Sequence, residues 1–136
     1  MDFGSNRIGD VGVQAIAHFL ASNNTVTSIN LAANEIGDMG AKHLAKALEV
    51  NNSLTTIDLR WNGIGDSGSI AIARAIAKNE SCTLDSLLGV DLNTTKLREI
   101  LGVNGLEEGI CWEDQSTNDI LNLLKQNRAG PSYVLK

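Results

Sequence analysis

Two nine-residue stretches, "VTSINLAAN" (Val26–Asn34) and "LTTIDLRWN" (Leu54–Asn62), each carry apolar residues at positions one, four and six and Asn at position nine. The alternation of Ile29 with Leu31, and of Ile57 with Leu59, is the period-two pattern of a short β-strand. From the closing Asn the same motif follows each time. "NRIGDVG" starts at Asn6, "NEIGDMG" at Asn34 and "NGIGDSG" at Asn62, with steps of 34 − 6 = 28 and 62 − 34 = 28 residues. An internal period of this length is the mark of a repeat architecture.

Each motif opens an alanine-rich segment with a different period. Val13, Ile16, Ala17 and Leu20 fall at i, i+3, i+4 and i+7, as do Ala41, Leu44, Ala45 and Leu48. In the third copy Ser69 takes the first place, ahead of Ile72, Ala73 and Ile76. This spacing is one face of an α-helix. Asp10, Asp38 and Asp66 precede these helices and read as N-caps, favourable at the positive end of the dipole. Metal ligation is the alternative; the three carboxylates belong to different repeats with no His or second acid beside them. Gly12, Gly40 and Gly68 lie just inside the helices, where glycine costs stability, so a close approach to neighbouring backbone is expected. GxxxxGK[ST] is absent, and GxGxxG is spelled only once, by "GIGDSG" (Gly63–Gly68) in the third copy and not in the other two, which argues against a phosphate loop. Asn23, Asn51 and Asn79 close the helices and read as left-handed C-caps. They also begin sequons, as does Asn93, and a C-cap copied by duplication is preferred to glycosylation.

Strand, turn and helix in a LxxLxLxxN frame resemble a leucine-rich repeat, and the 28-residue period with Gly before the helix is similar to the ribonuclease-inhibitor-like class. The resemblance implies an α/β solenoid: a right-handed βα superhelix with a short parallel concave sheet, convex helices and a divergent C-terminal cap. It also implies that Asn6, Asn34 and Asn62 form a buried ladder to the backbone of adjacent turns. The class includes ribonuclease inhibitors, Ran GTPase-activating proteins, tropomodulin-type proteins and the receptor ends of NOD-like receptors.

The repeats cover residues 1–92, about three βα units with a truncated first strand, in which Met1 and Phe3 align with Ile29 and Leu31. An uncapped first strand offers an edge for self-association and suggests either a fragment of a longer protein or a short member. After Asn79 the pattern shifts by two residues, so that Leu84 and Leu87 match Leu54 and Ile57. Gly89 and Leu92 then replace the core Leu and the ladder Asn. Residues 93–136 read as a C-terminal cap: a short helix in "TTKLREILG", a strand in "GICW", a helix in "STNDILNLLKQN" and a loose tail.

Composition narrows the function. With 11 Lys+Arg against 16 Asp+Glu the chain carries a net charge of −5, which disfavours nucleic-acid phosphate and an anionic membrane surface. Cys82 and Cys111 stand outside any CxxC pair and away from His, as expected for reduced thiols in a cytoplasmic protein. No signal peptide is visible. His18 and His43 lie on different helices and share no motif with Ser or Cys, so nucleophilic catalysis has no support. The sequence therefore reads as non-enzymatic, with no cofactor.

Binding residues are sought between the apolar strand positions, where side chains face away from the core. The candidates are Ser28 and Asn30 from one strand and Thr56, Asp58, Arg60 and Trp61 from the next. Most neighbouring positions are small; Arg60 and Trp61 are types favoured at interface hot spots. Trp61 packed over the rim, with Arg60 paired to Asp58, is the structural alternative. The expected function is a scaffold binding a protein partner on the concave face. A GTPase-activating regulator of the Ran-activating type and the structural C-terminal end of a longer repeat protein are the other readings.

Overall fold

The computed structural model describes residues 1–79 and 81–90. In chain order it contains α1 (Gly9–Ser22), β1 (Ser28–Asn30), α2 (Asp38–Leu48), β2 (Thr56–Asp58), α3 (Asp66–Lys78) and β3 (Ser86–Leu88). The expected cap at 93–136 lies outside the described residues.

The strands form one parallel sheet in the order β1-β2-β3, with Ile29 opposite Ile57 and Ile57 opposite Leu87. The first pairing is offset by 57 − 29 = 28 residues and the second by 87 − 57 = 30, so the two extra residues fall between Asn79 and Leu84. The leading segment joins the same sheet. Asp2 bridges Asn30, the Phe3 amide donates to the Asn30 carbonyl at 2.8 Å, and the Asn30 amide donates to the Met1 carbonyl at 2.9 Å.

The core lies between sheet and helices and is aliphatic. Ile29, Leu31, Ile57, Leu59 and Leu87 meet Val13, Leu20, Leu44, Leu48, Ile72 and Ile76, all buried. Each such side chain contributes about 1.5–3 kcal/mol on leaving water. Ile16 is only half-buried, because α1 has a helical neighbour on one side alone among the described residues.

Asparagine fixes the spacing of the repeats. The Oδ1 of Asn34 accepts the amides of Asn6 (2.8 Å) and Ile8 (3.3 Å), and its Nδ2 donates to the carbonyls of Phe3 (2.8 Å) and Ala32 (3.1 Å). Asn62 does the same one repeat later: Oδ1 accepts from Asn34 and Ile36, and Nδ2 donates to Leu31 and Leu59. Asn34 is wholly buried. Asn6 donates within its own turn, to Phe3 and Gly4.

The expectation for Asn23, Asn51 and Asn79 requires correction. Asn23 and Asn79 are extended, at φ −92 and −84, so neither is a left-handed cap. Asn51 lies two residues beyond Glu49, the C-cap of α2. The residues instead build a second ladder at the far end of the helices. Asn51 Nδ2 donates to the carbonyls of Leu20 and Asn23, and Asn79 Nδ2 to those of Leu48 and Asn51. The carbonyls left open at one helix end are thus filled by the following repeat. Burial of Asn51 and Asn79 also removes two sequon amides from the folded surface.

The aspartates also act across the repeat boundary. Helix α2 begins at Asp38 itself, so its N-cap is Gly37, which has no side chain to offer. The cap comes from the preceding repeat: Asp10 Oδ1 accepts the amides of Gly37 (2.7 Å) and Gly40 (3.0 Å). Asp38 in turn accepts those of Gly65 (2.8 Å) and Gly68 (2.9 Å). One oxygen therefore satisfies the N-cap and N3 donors that a capping box would use two side chains to cover. The neighbour that requires glycine is this carboxylate and adjoining side chains, not backbone. A Cβ at Gly40 would lie 2.6 Å from Asp10 Oδ1, and one at Gly68 would lie 2.7 Å from Asp38 Oδ1.

Two stability predictions follow from these bonds. Asn34→Ala leaves the part-buried amides of Asn6 and Ile8 without an acceptor and two carbonyls without a donor, and costs about 2 kcal/mol or more in urea unfolding, whereas Asn6→Ala at the exposed end costs about 1 kcal/mol or less. Asp38→Ala removes a helix cap without touching its own helix's bonds and costs about 1–2 kcal/mol by the same measurement.

Candidate protein-binding face

The face of the sheet turned away from the helices is built of rows set by strand register. Ser28, Thr56 and Ser86 form one row; Asp2, Asn30, Asp58 and Leu88 form the next. Within the second row a local turn recurs. Asp2 Oδ1 accepts the Gly4 amide (2.9 Å), Asn30 Oδ1 the Ala32 amide (2.9 Å) and Asp58 Oδ1 the Arg60 amide (3.0 Å). Asn30 and Asp58, singled out as contact residues, thus also shape the strand exit.

After this turn the backbone enters the left-handed region at Ser5, Ala33 and Trp61, with φ of 60, 56 and 58. Bulky residues adopt this conformation rarely. It is held here by the Asx turn before it and the ladder Asn after it. Gly4 and Ser5, then Ala32 and Ala33, are small; the third copy places Arg60 and Trp61 at the same points. Ala32 is buried, so it contributes little of this surface.

Asp58, Arg60 and Trp61 form one cluster. Arg60 Nε donates to Asp58 Oδ1 at 3.0 Å and Nη2 to Oδ2 at 2.8 Å, a two-pronged pair. The Arg60 guanidinium carbon lies 5.4 Å from the centroid of the Trp61 ring, within cation–π range. Trp61 is nevertheless 77% exposed, and the Arg60 side chain remains 51% exposed. The alternative is half realised: Arg60 pairs with Asp58, but Trp61 is not packed away. The charge-assisted bond from Arg60 holds the Asp58 carboxyl below the usual aspartate range, against the opposing effect of burial.

Ser28 is exposed, and Asn30 and Thr56 are half-buried; these three line the sheet beside the cluster without joining it. Leu88, 37% exposed, stands opposite Asp58 in the register and adds an apolar contact. It is followed by Gly89, at φ +85, where a Cβ would lie 2.4 Å from the Arg60 amide nitrogen. Only glycine lets the third strand end against Arg60. The recurrence of Asp, Asn and Asp at positions 2, 30 and 58 was the signal for the Asx turns, and the strand alternation that turns Leu87 inward places Ser86 and Leu88 on the outward face.

Among the described residues no group of three or more His, Cys, Asp or Glu side chains is placed to hold a metal ion, and no helix is long and apolar enough to cross a membrane.

Comparison with known proteins agrees with this geometry. The chain matches the leucine-rich repeat family over residues 2–17, 22–45 and 50–73. No curated protein matches it. Residues 2–73 are leucine-rich repeats, and alternation of three helices with a short parallel sheet makes the fold an α/β repeat solenoid. Leucine-rich repeats generally mediate protein–protein interaction and are typically non-catalytic.

The sign of the Asp58 shift is testable. A carbon-13 NMR titration gives a midpoint below the usual value of about 3.9, and Arg60→Ala raises it. Because the folded value is depressed, the pair's contribution to stability is present above the unfolded value and lost as pH falls through the folded one.

Proposed function

We propose that the chain is a non-catalytic scaffold of the ribonuclease-inhibitor-like class that binds a protein partner on the concave sheet face, with Trp61 and Arg60 as its anchors. The observation that carries this reading is Trp61: a large ring, 77% exposed, fixed by a left-handed backbone and backed by an Arg already oriented by Asp58. A side chain held in place before binding loses less entropy on docking. Leu88, Thr56 and Ser28 extend the surface with apolar and hydroxyl contacts. The 28-residue period and the helix in each unit support the subclass.

Self-association through the Met1–Phe3 edge belongs to the same reading. Its support is that this segment pairs with β1 on one side and has no strand on the other among the described residues. A cytoplasmic setting fits as well, supported by the spacing of Cys82 and Cys111, neither of which lies in a CxxC motif, and by the burial of Asn51 and Asn79.

Affinity purification with wild-type chain and the Arg60→Ala/Trp61→Ala double variant, side by side, tests the anchors. The expected outcome is a partner retained by the wild type and weakened by about tenfold or more with the variant, whose folding is unchanged. A partner held equally by both would remove Arg60 and Trp61 from the interface.

A further inference from the structure

The helical side of the solenoid has a charge pattern unlike that of the chain as a whole. Positions 28 residues apart place His18, Lys46 and Arg74 in a row across α1, α2 and α3, all three exposed. Beyond their first residues α2 and α3 carry no acid, yet they contain Lys42, Lys46, Arg74 and Lys78. Lys78 lies 3.9 Å from Glu49; Lys42, Lys46 and Arg74 have no carboxylate within ion-pair distance among the described residues. A chain with 16 acidic and 11 basic residues has thus kept one surface basic.

A groove of about 570 Å³ runs between α1 and α2 on this side. Gln14 and His18 from α1, and His43 and Lys46 from α2, supply its polar walls; the buried Ala17 and Ala47 form its floor, the exposed Ala15 and Ala21 lie at its rim, and no carboxylate lines it. Along α1 the lining runs from Val11 to Ala21, ten steps that correspond to roughly 15 Å at 1.5 Å per residue, about three helical turns. An alanine floor allows a third helix to approach closely, and Val11, 83% exposed, offers an apolar contact at one end.

We propose that this groove is a second protein-docking site, separate from the sheet face, and that its occupant is an acidic amphipathic helix of about three turns. The apolar stripe of that helix lies on the alanines, and its carboxylates meet Lys46, His18 and His43. Charge complementarity selects the acid. A nucleic acid is disfavoured because the groove holds no Phe, Tyr or Trp for stacking and the chain is net −5.

The test is fluorescence anisotropy on the full chain at about 50 mM salt. The probe is a labelled 14-residue peptide with Leu and Ala on one helical face and Glu on the other. Comparison probes are its scrambled isomer, a single-stranded oligonucleotide and phosphatidylserine-containing vesicles. The amphipathic peptide binds, and its scrambled isomer binds at least about fivefold more weakly because it cannot present one apolar face. Lys46→Glu weakens binding by about tenfold or more, and Ala21→Glu, which sets a carboxylate at the rim of the groove, does the same. The Arg60→Ala/Trp61→Ala variant binds the peptide like wild type, which separates this site from the sheet face. Both substituted positions are exposed, and circular dichroism identifies a variant that fails to fold; Lys46→Glu alone then decides. Absence of peptide binding, equal binding of the scrambled isomer, indifference to Lys46→Glu, or tighter binding of vesicles or oligonucleotide overturns the proposal.

Discussion

In the second and third repeats the asparagine that follows the strand reaches back to the turn before it. Asn34 and Asn62 each accept two amides of the preceding turn with one oxygen and donate to its carbonyl with the nitrogen. The exchange is geometric as well as energetic. A buried amide without a partner costs about 1–3 kcal/mol, so a register shift that broke one rung would cost more than most core substitutions recover. The rungs therefore set the register of the leading segment, β1 and β2, which places Ile29 and Ile57 in one column and turns the intervening residues to the open face. Trp61 owes its position to the same constraint, since it sits one residue before a rung.

The other ends of the repeats are tied by the same principle with different chemistry. Asn51 and Asn79 fill carbonyls at the end of the preceding helix, and Asp10 and Asp38 fill amides at the start of the following one. Each unit completes its hydrogen bonding only through its neighbours. In the one-dimensional description of repeat proteins, this weights the interface between units above the stability of a unit alone.

Much of this was legible in the sequence. Period two in the strands and i, i+3, i+4, i+7 in the helices were enough to place the elements, because burial on one face enforces both patterns. The direction of the polar bonds was not legible. Asp10 and Asp38 carry a helix-capping residue type at a helix start, and sequence alone assigns them to their own helix; only the packing of adjacent units shows that the carboxylate crosses over. Asn51 and Asn79 were misread for a related reason: Asn suits a left-handed cap locally, but a carbonyl one repeat away competes for its amide and wins. For the sheet face, residue type and alternation marked Arg60 and Trp61. The same alternation turned Leu88 outward; the close approach of Gly89 to the Arg60 backbone, by which the third strand ends, is what no periodicity announces.

The crossing aspartates change what counts as an exchangeable piece of this molecule. The aligned repeat begins at a strand, and a chimera cut there, between Asn23 and Ser28 for example, would separate Asp10 from the Gly37 and Gly40 amides it serves. The donor repeat would then need its own match to a foreign helix start. A cassette running from just after one capping Asp to the next, residues 11–38, meets the same difficulty, because it contains Gly37 but neither Asp10 nor Gly40. Wherever the array is recombined or extended, the carboxylate of one unit must meet the glycine pair of the next, and that match limits the exchange more than the strand boundary does.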